Sequence, residues 1–152
     1  ELTTKEGRLL RTYRDGEAKL NAYVVDYAFL VEGLIALHRA TGKKTWLDEA
    51  DRLMKIQLEL YWDDDNSGFF FTSDDHESLL ARGKNPVDGA QPSGNSVSVQ
   101  NLIYLARELD NKDYLEHADR TIRSVSGILS NSPSASPRMV IAVGQMLDTG
   151  SE

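Results

Sequence analysis

The amino-acid sequence predicts an all-α protein: antiparallel αα-hairpins forming part of an (α/α)6 toroid, with a small β-hairpin in one connection. Three observations carry this. "LIALHRATGKKTWLDEADRLM" (residues 34–54) aligns without a gap on "LIYLARELDNKDYLEHADRTI" (residues 102–122), so that Leu34, Leu37, Arg39, Leu47, Ala50, Asp51 and Arg52 return 68 positions later. A repeat of this kind is an architecture before it is a motif. Each copy reads as two helices around a short polar break. The connection between the copies, residues 63–92, holds strand-type text that a purely helical array would lack.

Along the chain, residues 8–14 read as the end of one helix. The first full hairpin covers about 24–62. Its first helix carries Tyr27, Leu30, Val31, Leu34, Ile35 and Leu37 around one broad apolar face, and its second, from Trp46 onward, is more amphipathic. Spacings of i, i+3, i+4 and i+7 support helix in both, and a break as short as "TGKKT" makes them antiparallel neighbours. The richer helix belongs on the inside and the charged one outside. In residues 63–92, "SGFFFTS" and "SLLARG" flank "DDHE" and read as a β-hairpin. The second αα-hairpin spans about 93–130, and "SPRMVIAVGQMLD" supplies a last inner helix at about 136–148. Tetratricopeptide repeats, at half this period, are excluded because the intervening residues carry loop and strand text. Small β-hairpins in the connections favour a closed double ring over an open solenoid. Six hairpins need about 300 residues or more, two to three times the modal domain, so this single domain (residues 1–152) reads as about half a ring. Opening on Glu1, it reads as a piece of a longer protein, and half a ring exposes an apolar edge that favours self-association.

A net charge of −7 with scattered Lys and Arg argues against nucleic acid as a partner. The absence of cysteine removes disulfides, thiolate chemistry and Cys-ligated zinc and fits a reducing, cytoplasmic setting. No apolar run is long enough to span a bilayer, and the charged start does not suit a secretory signal, so the expectation is a soluble chain with no membrane role. No sequence feature calls for a cofactor or a metal. Asp63, Asp65, Ser67, Gly68 and Asp74 mimic the spacing of a calcium loop. However, Asp replaces the final Glu and an aromatic strand follows, so an acidic turn explains them better.

The candidate site lies where the inner helices begin. "DGAQPSGNS" (residues 88–96) supplies more loop chemistry than one helix cap requires, and helix N-termini present free N–H groups and partial positive charge. Here Asn95 or Ser93 caps the helix and Asp88 stands near the mouth, with Asn95 and Ser96 as hydroxyl-binding groups and Ser93 as a further ligand-binding candidate. In the other copy, "VVDYAFLVEGL" puts Asp26 and Tyr27 in register with Gly94 and Asn95, and Glu32 lies further along the same helix. Asp26 and Asp88 are acid/base candidates because glycoside chemistry commonly uses paired carboxylates. His76, on the expected mouth hairpin, is a third through its near-neutral titration, and Tyr27 offers a stacking face. His38 reads as packed and His117 as solvated on an outer helix. Capping and helix-dipole roles for the same polar groups remain the competing explanation.

The segments "YRDGEAKLNAYVVDYAFLVEGLIALHRATGKKTWLDEA", "GFFFTSDDHESLLAR" and "VDGAQPSGNSVSVQNLIYLAREL" resemble the C-terminal part of the spermatogenesis-associated protein 20 family. That family joins an N-terminal thioredoxin-like domain to an (α/α)6 toroid. The toroid in turn is similar to the N-acylglucosamine 2-epimerase and six-hairpin glycosidase superfamily. The resemblance implies a carbohydrate-like ligand at the funnel mouth, and as partners the rest of the toroid and a thioredoxin-like domain. The alternative from another class is a non-catalytic helical scaffold accompanying the thioredoxin-like domain.

Overall fold

The computed structural model describes residues 2–75 and 82–149. Its first element corrects the expectation of a helix over 8–14. β1 (Leu10–Arg14) and β2 (Glu17–Asn21) form an antiparallel hairpin with Thr12 opposite Lys19 and Arg14 opposite Glu17. The cause is the Asp15-Gly16 pair, with φ of +54° and +82°. Two successive left-handed residues make the tight turn whose twist suits paired strands.

Helices follow from the repeat. α1 (Val24–Thr41) stops at Gly42, whose left-handed backbone lets its N–H reach the His38 carbonyl. α2 (Lys44–Tyr61) returns beside it. α3 (Gly94–Leu109) stops in the same way at Asp110, also left-handed, with its N–H on Ala106, and α4 (Lys112–Ser124) returns with Asn111 Oδ1 capping the N–H groups of Asp113 and Tyr114. Gly42 and Asp110 stand one repeat apart, so the backbone stop recurs although glycine does not. A short α5 (Ser126–Asn131), a 3₁₀ turn and α6 (Pro137–Thr149) complete the described chain. No described helix is long and apolar enough to cross a membrane.

α1, α3 and α6 lie side by side as an inner layer, with α2 and α4 packed behind α1 and α3. The buried seam holds Tyr27, Val31, Leu53, Met54, Tyr61, Phe69, Leu102, Ile103, Leu105 and Met139; each large apolar side chain so enclosed contributes roughly 1.5–3 kcal/mol. Polar ties fix the register between hairpins. The Tyr114 hydroxyl donates to Asp51 at 2.6 Å, and Asn101 Nδ2 donates to the Ala28 carbonyl at 2.8 Å. On the opposite face of the inner layer, Leu30, Leu37, Val140 and Ile141 stay exposed.

In the 63–92 connection the described residues show less strand than the text predicts. An isolated bridge joins Trp62 to Phe69, and one hydrogen bond runs from the Phe71 N–H to the Gly83 carbonyl. Most of "SLLARG", the expected second arm, lies outside the described residues. The acidic turn is folded by Asp63, whose Oδ1 accepts from the N–H groups of Asp65 and Asn66 and whose Oδ2 pairs with Lys84 at 2.6 Å. Burial pushes the Asp63 carboxyl up, but Lys84 and Asn66 outweigh it and bring it down to about 2. Stability from this group is therefore present above its ordinary value of 3.8 and is lost as pH falls through about 2. That contribution is about 1–2 kcal/mol. Urea melts between neutral pH and pH ~2 should show a steeper acid loss in the parent than in Asp63→Asn; equal slopes would contradict this role.

Candidate functional site

The run "PSGNS" is resolved by what each residue does at one helix end. The Ser93 hydroxyl accepts from the Ser96 N–H at 3.0 Å and donates to Ser96 Oγ at 3.0 Å. Gly94 lies close against the start of α1. A Cβ there would sit 2.8 Å from Val24 Cγ1 and 3.2 Å from Val25 Cγ1. Asn95, 4% exposed, acts as a strand partner, accepting from the Phe69 N–H at 2.7 Å and donating to the Phe69 carbonyl at 2.9 Å. Its amide closes the turn at Gly68, which runs at φ +82°. The surplus of loop chemistry thus has a structural use: one cap, one close contact and one side-chain bridge.

Asp88 joins two helix starts. Oδ1 accepts from the Ser93 N–H before α3, and Oδ2 accepts from the Arg138 N–H in the first turn of α6, both at 2.8 Å. The Asp88 N–H donates to the Ala135 carbonyl, and Ser136 Oγ donates to the Pro86 carbonyl. A carboxylate against two helix N-termini satisfies orphan donors and complements both dipoles. Asp26 reaches back from the first turn of α1 to accept from the Tyr23 N–H at 2.8 Å, and its other oxygen has no hydrogen bond among the described residues.

Tyr27 gives no stacking face, a correction to the expectation. It is 1% exposed, its ring packs against Tyr61, and its hydroxyl accepts from the Leu9 N–H at 2.9 Å. Burial pushes this phenol above its ordinary range. The apolar seam at the start of α1 claims the ring because it lies on the buried side of the helix. His76 lies outside the described residues. His117, expected in solvent, is half-buried with its ring edge on Trp62 at 4.5 Å between centroids. His38 is half-buried with Nδ1 2.8 Å from the Tyr104 hydroxyl.

Glu32 leads to an open groove of about 840 Å³ along the inner faces of α1, α3 and α6. Glu32 pairs there with Arg138, and Gln100, Tyr104, Arg39 and Gln145 line the rest. The Arg39 guanidinium lies over the Tyr104 ring, 4.3 Å from its centroid. Burial raises the Tyr104 phenol, with Glu108 adding to the shift. Two polar atoms in this lining, Arg138 Nε and Gln145 Oε1, are buried without a partner among the described residues. Such groups are costly when dry and unpaired. Two smaller cavities of about 450 and 390 Å³ lie at the mouth and share Arg11, Val25 and Gln91. Ser93 and Asn95 border the first and Asp26 the second, and Phe29 borders both the second and the large groove. Shared lining residues thus make these three cavities neighbours, from the 88–96 loop by way of Asp26 to the groove of Glu32 and Arg39. Sequence reading missed Arg39, Gln100, Tyr104, Arg138 and Gln145. The available signal was helical spacing: Glu32 and Arg39, like Arg138 and Gln145, stand seven residues apart on one stripe of an otherwise apolar helix.

Repeated antiparallel hairpins with their inner helices around a groove are the architecture of an α/α-toroid. The GH76 α-mannanase of Bacteroides thetaiotaomicron has this fold and superposes with a TM-score of 0.70 over 96% of this chain and 40% of that one, at 13% identity. In sequence, the chain is similar to spermatogenesis-associated protein 20. The rat protein is 36% identical over 128 residues, covering 84% of this chain and 16% of that protein, and the human protein is 34% identical over 152 aligned residues, covering 94% and 19%. An uncharacterised protein of Caenorhabditis elegans is 32% identical over 128 residues, covering 84% and 17%. The chain thus spans less than a fifth of the length of these relatives. No family model matches it.

Proposed function

We propose that this chain forms one wall of a toroid funnel that binds a carbohydrate-like ligand. The observation that carries this reading is the inner groove, where Glu32, Arg138, Gln100 and Gln145 bring hydrogen-bonding groups together over apolar walls and two buried polar atoms lack partners. Concave sites with a few convergent polar groups on apolar walls are where small ligands bind. The fold shared with a mannanase supports the same ligand class only by analogy. Within this reading Asp26 is the acid placed to act on a ligand, because one of its oxygens is uncommitted, while Asp88 orients the loop with both of its own.

A second reading has its own observation. Asp88, Ser93, Asn95 and Ser96 all have partners inside the protein, which suits a scaffold that accompanies other domains without chemistry. Thermal melts with methyl α-mannoside, mannobiose and N-acetylglucosamine separate the two, since a ligand binding only the folded state raises Tm with its occupancy. The expected result is a concentration-dependent rise that Glu32→Gln removes. Flat melts at millimolar concentrations of every sugar would contradict the ligand reading and leave the scaffold.

A further inference from the structure

We infer that the groove is built for an anionic sugar, one bearing a carboxylate or phosphate, and that Arg39 and Arg138 receive its charge. This rests on the reading of the groove as the ligand site. The chain carries a net charge of −7, yet the charged residues lining this cavity are two arginines and one glutamate. The local excess of positive charge runs against the whole, and clefts of one sign concentrate ligands of the other.

The two guanidinium groups are differently prepared. Arg138 spends Nη2 on Glu32, leaving its buried Nε without a partner among the described residues. Arg39 rests on the Tyr104 face and makes no salt bridge among the described residues, although Glu108 lies near that ring. A guanidinium stacked through its face still presents its N–H edge, the geometry that suits carboxylate or phosphate in a two-point contact. Gln145 Oε1, buried and unpaired in the same lining, is an acceptor and so cannot bind the anion; it fits a sugar hydroxyl. Glu32, paired with Arg138, is a second acceptor. Glu32 and Arg39 stand seven residues apart, about 10 Å along the α1 axis. Two acceptors for hydroxyls, Glu32 and Gln145, therefore share the groove with Arg39, a cation that makes no salt bridge among the described residues. A polyhydroxylated body bearing an acidic group matches that lining.

Isothermal titration of the chain with glucose, glucuronate, glucose 6-phosphate and inorganic phosphate alone tests the inference. The acidic sugars are expected to bind roughly tenfold or more tighter than glucose, the worth of a charge-assisted hydrogen bond, and to weaken as salt rises. Arg39→Gln and Arg138→Gln should each remove that advantage while leaving the melting curve close to the parent's. Arg138→Lys keeps charge without the fork and should recover only part of it. Tighter binding of glucuronate alone, or of glucose 6-phosphate alone, supports the inference and names the acidic group. Equal binding of glucose and the acidic sugars would overturn the anionic preference while the funnel reading stands. Phosphate alone binding as tightly as glucose 6-phosphate would mark an adventitious ion only and also overturn it. Silence from every ligand would remove both readings together.

Discussion

An Asn95→Ala variant is expected to lose roughly 3 kcal/mol, because it strips partners from two buried backbone groups at once. The Phe69 N–H and carbonyl both end on the Asn95 amide, and Phe69 is itself fully buried. Water has no easy access to replace the amide, so the desolvation cost of both groups is felt. In a chain of this size the melting temperature should fall by about 6–12 °C. Asn95→Asp sharpens the test. Near neutral pH it places a carboxylate oxygen against the Phe69 carbonyl, where Nδ2 now donates, and the variant should melt at or below Asn95→Ala. Protonating that carboxyl restores a donor, so the variant should recover as pH is lowered. A melt of Asn95→Ala within a degree or so of the parent would show that the 62–71 turn is held by something else.

Asp88→Ala carries the second large effect. One carboxylate accepts from the Ser93 N–H and the Arg138 N–H, so its removal uncaps the approaches to α3 and α6 together. Loss of a helix cap costs about 1 kcal/mol, up to about 2, and the helix-dipole contribution is lost at both ends. The sum is about 2–4 kcal/mol, reduced from two full charge-assisted bonds because the site is only half-buried. Amide exchange gives a local readout. The Arg138 N–H and its neighbours in the first turn of α6 should exchange faster in Asp88→Ala than the centre of α3 does. Uniform acceleration along both helices would indicate global destabilisation rather than lost caps.

What was legible in the sequence was whatever the local chain or its repeat encodes. The inner and outer helices follow from apolar spacing, and the two stops at Gly42 and Asp110 follow from the repeat although only one is glycine. The N-terminal hairpin was also legible, but through Asp15-Gly16 rather than through the apolar residues around it. Reading residues 8–14 by spacing alone gave a helix end. The mouth loop shows a different limit. Its excess of polar residues is plain in the text, but their partners are distant: Asn95 meets Phe69 26 residues back, and Asp88 meets Arg138 50 residues on. No local pattern shows whether such a group faces a ligand or another strand of the same chain. Tyr27 illustrates the same point, since its position beside Asp26 suggested the mouth while the turn of the helix aims it into the core. The groove escaped because its lining comes from three helices far apart in sequence, each giving only two or three polar residues to a shared face.

The account divides labour between the 88–96 loop, which builds, and Asp26 with the groove residues, which meet the ligand. The measurement that tests this most directly is the melting temperature of Asp88→Ala and Arg138→Gln, each with and without saturating glucose 6-phosphate. The expected result is that Asp88→Ala melts lower but keeps the ligand-induced rise, whereas Arg138→Gln melts near the parent and shows that rise cut back to the size glucose gives. The reverse, with Asp88→Ala stable but blind to ligand and Arg138→Gln still responsive, would contradict the account and put ligand binding at the 88–96 loop.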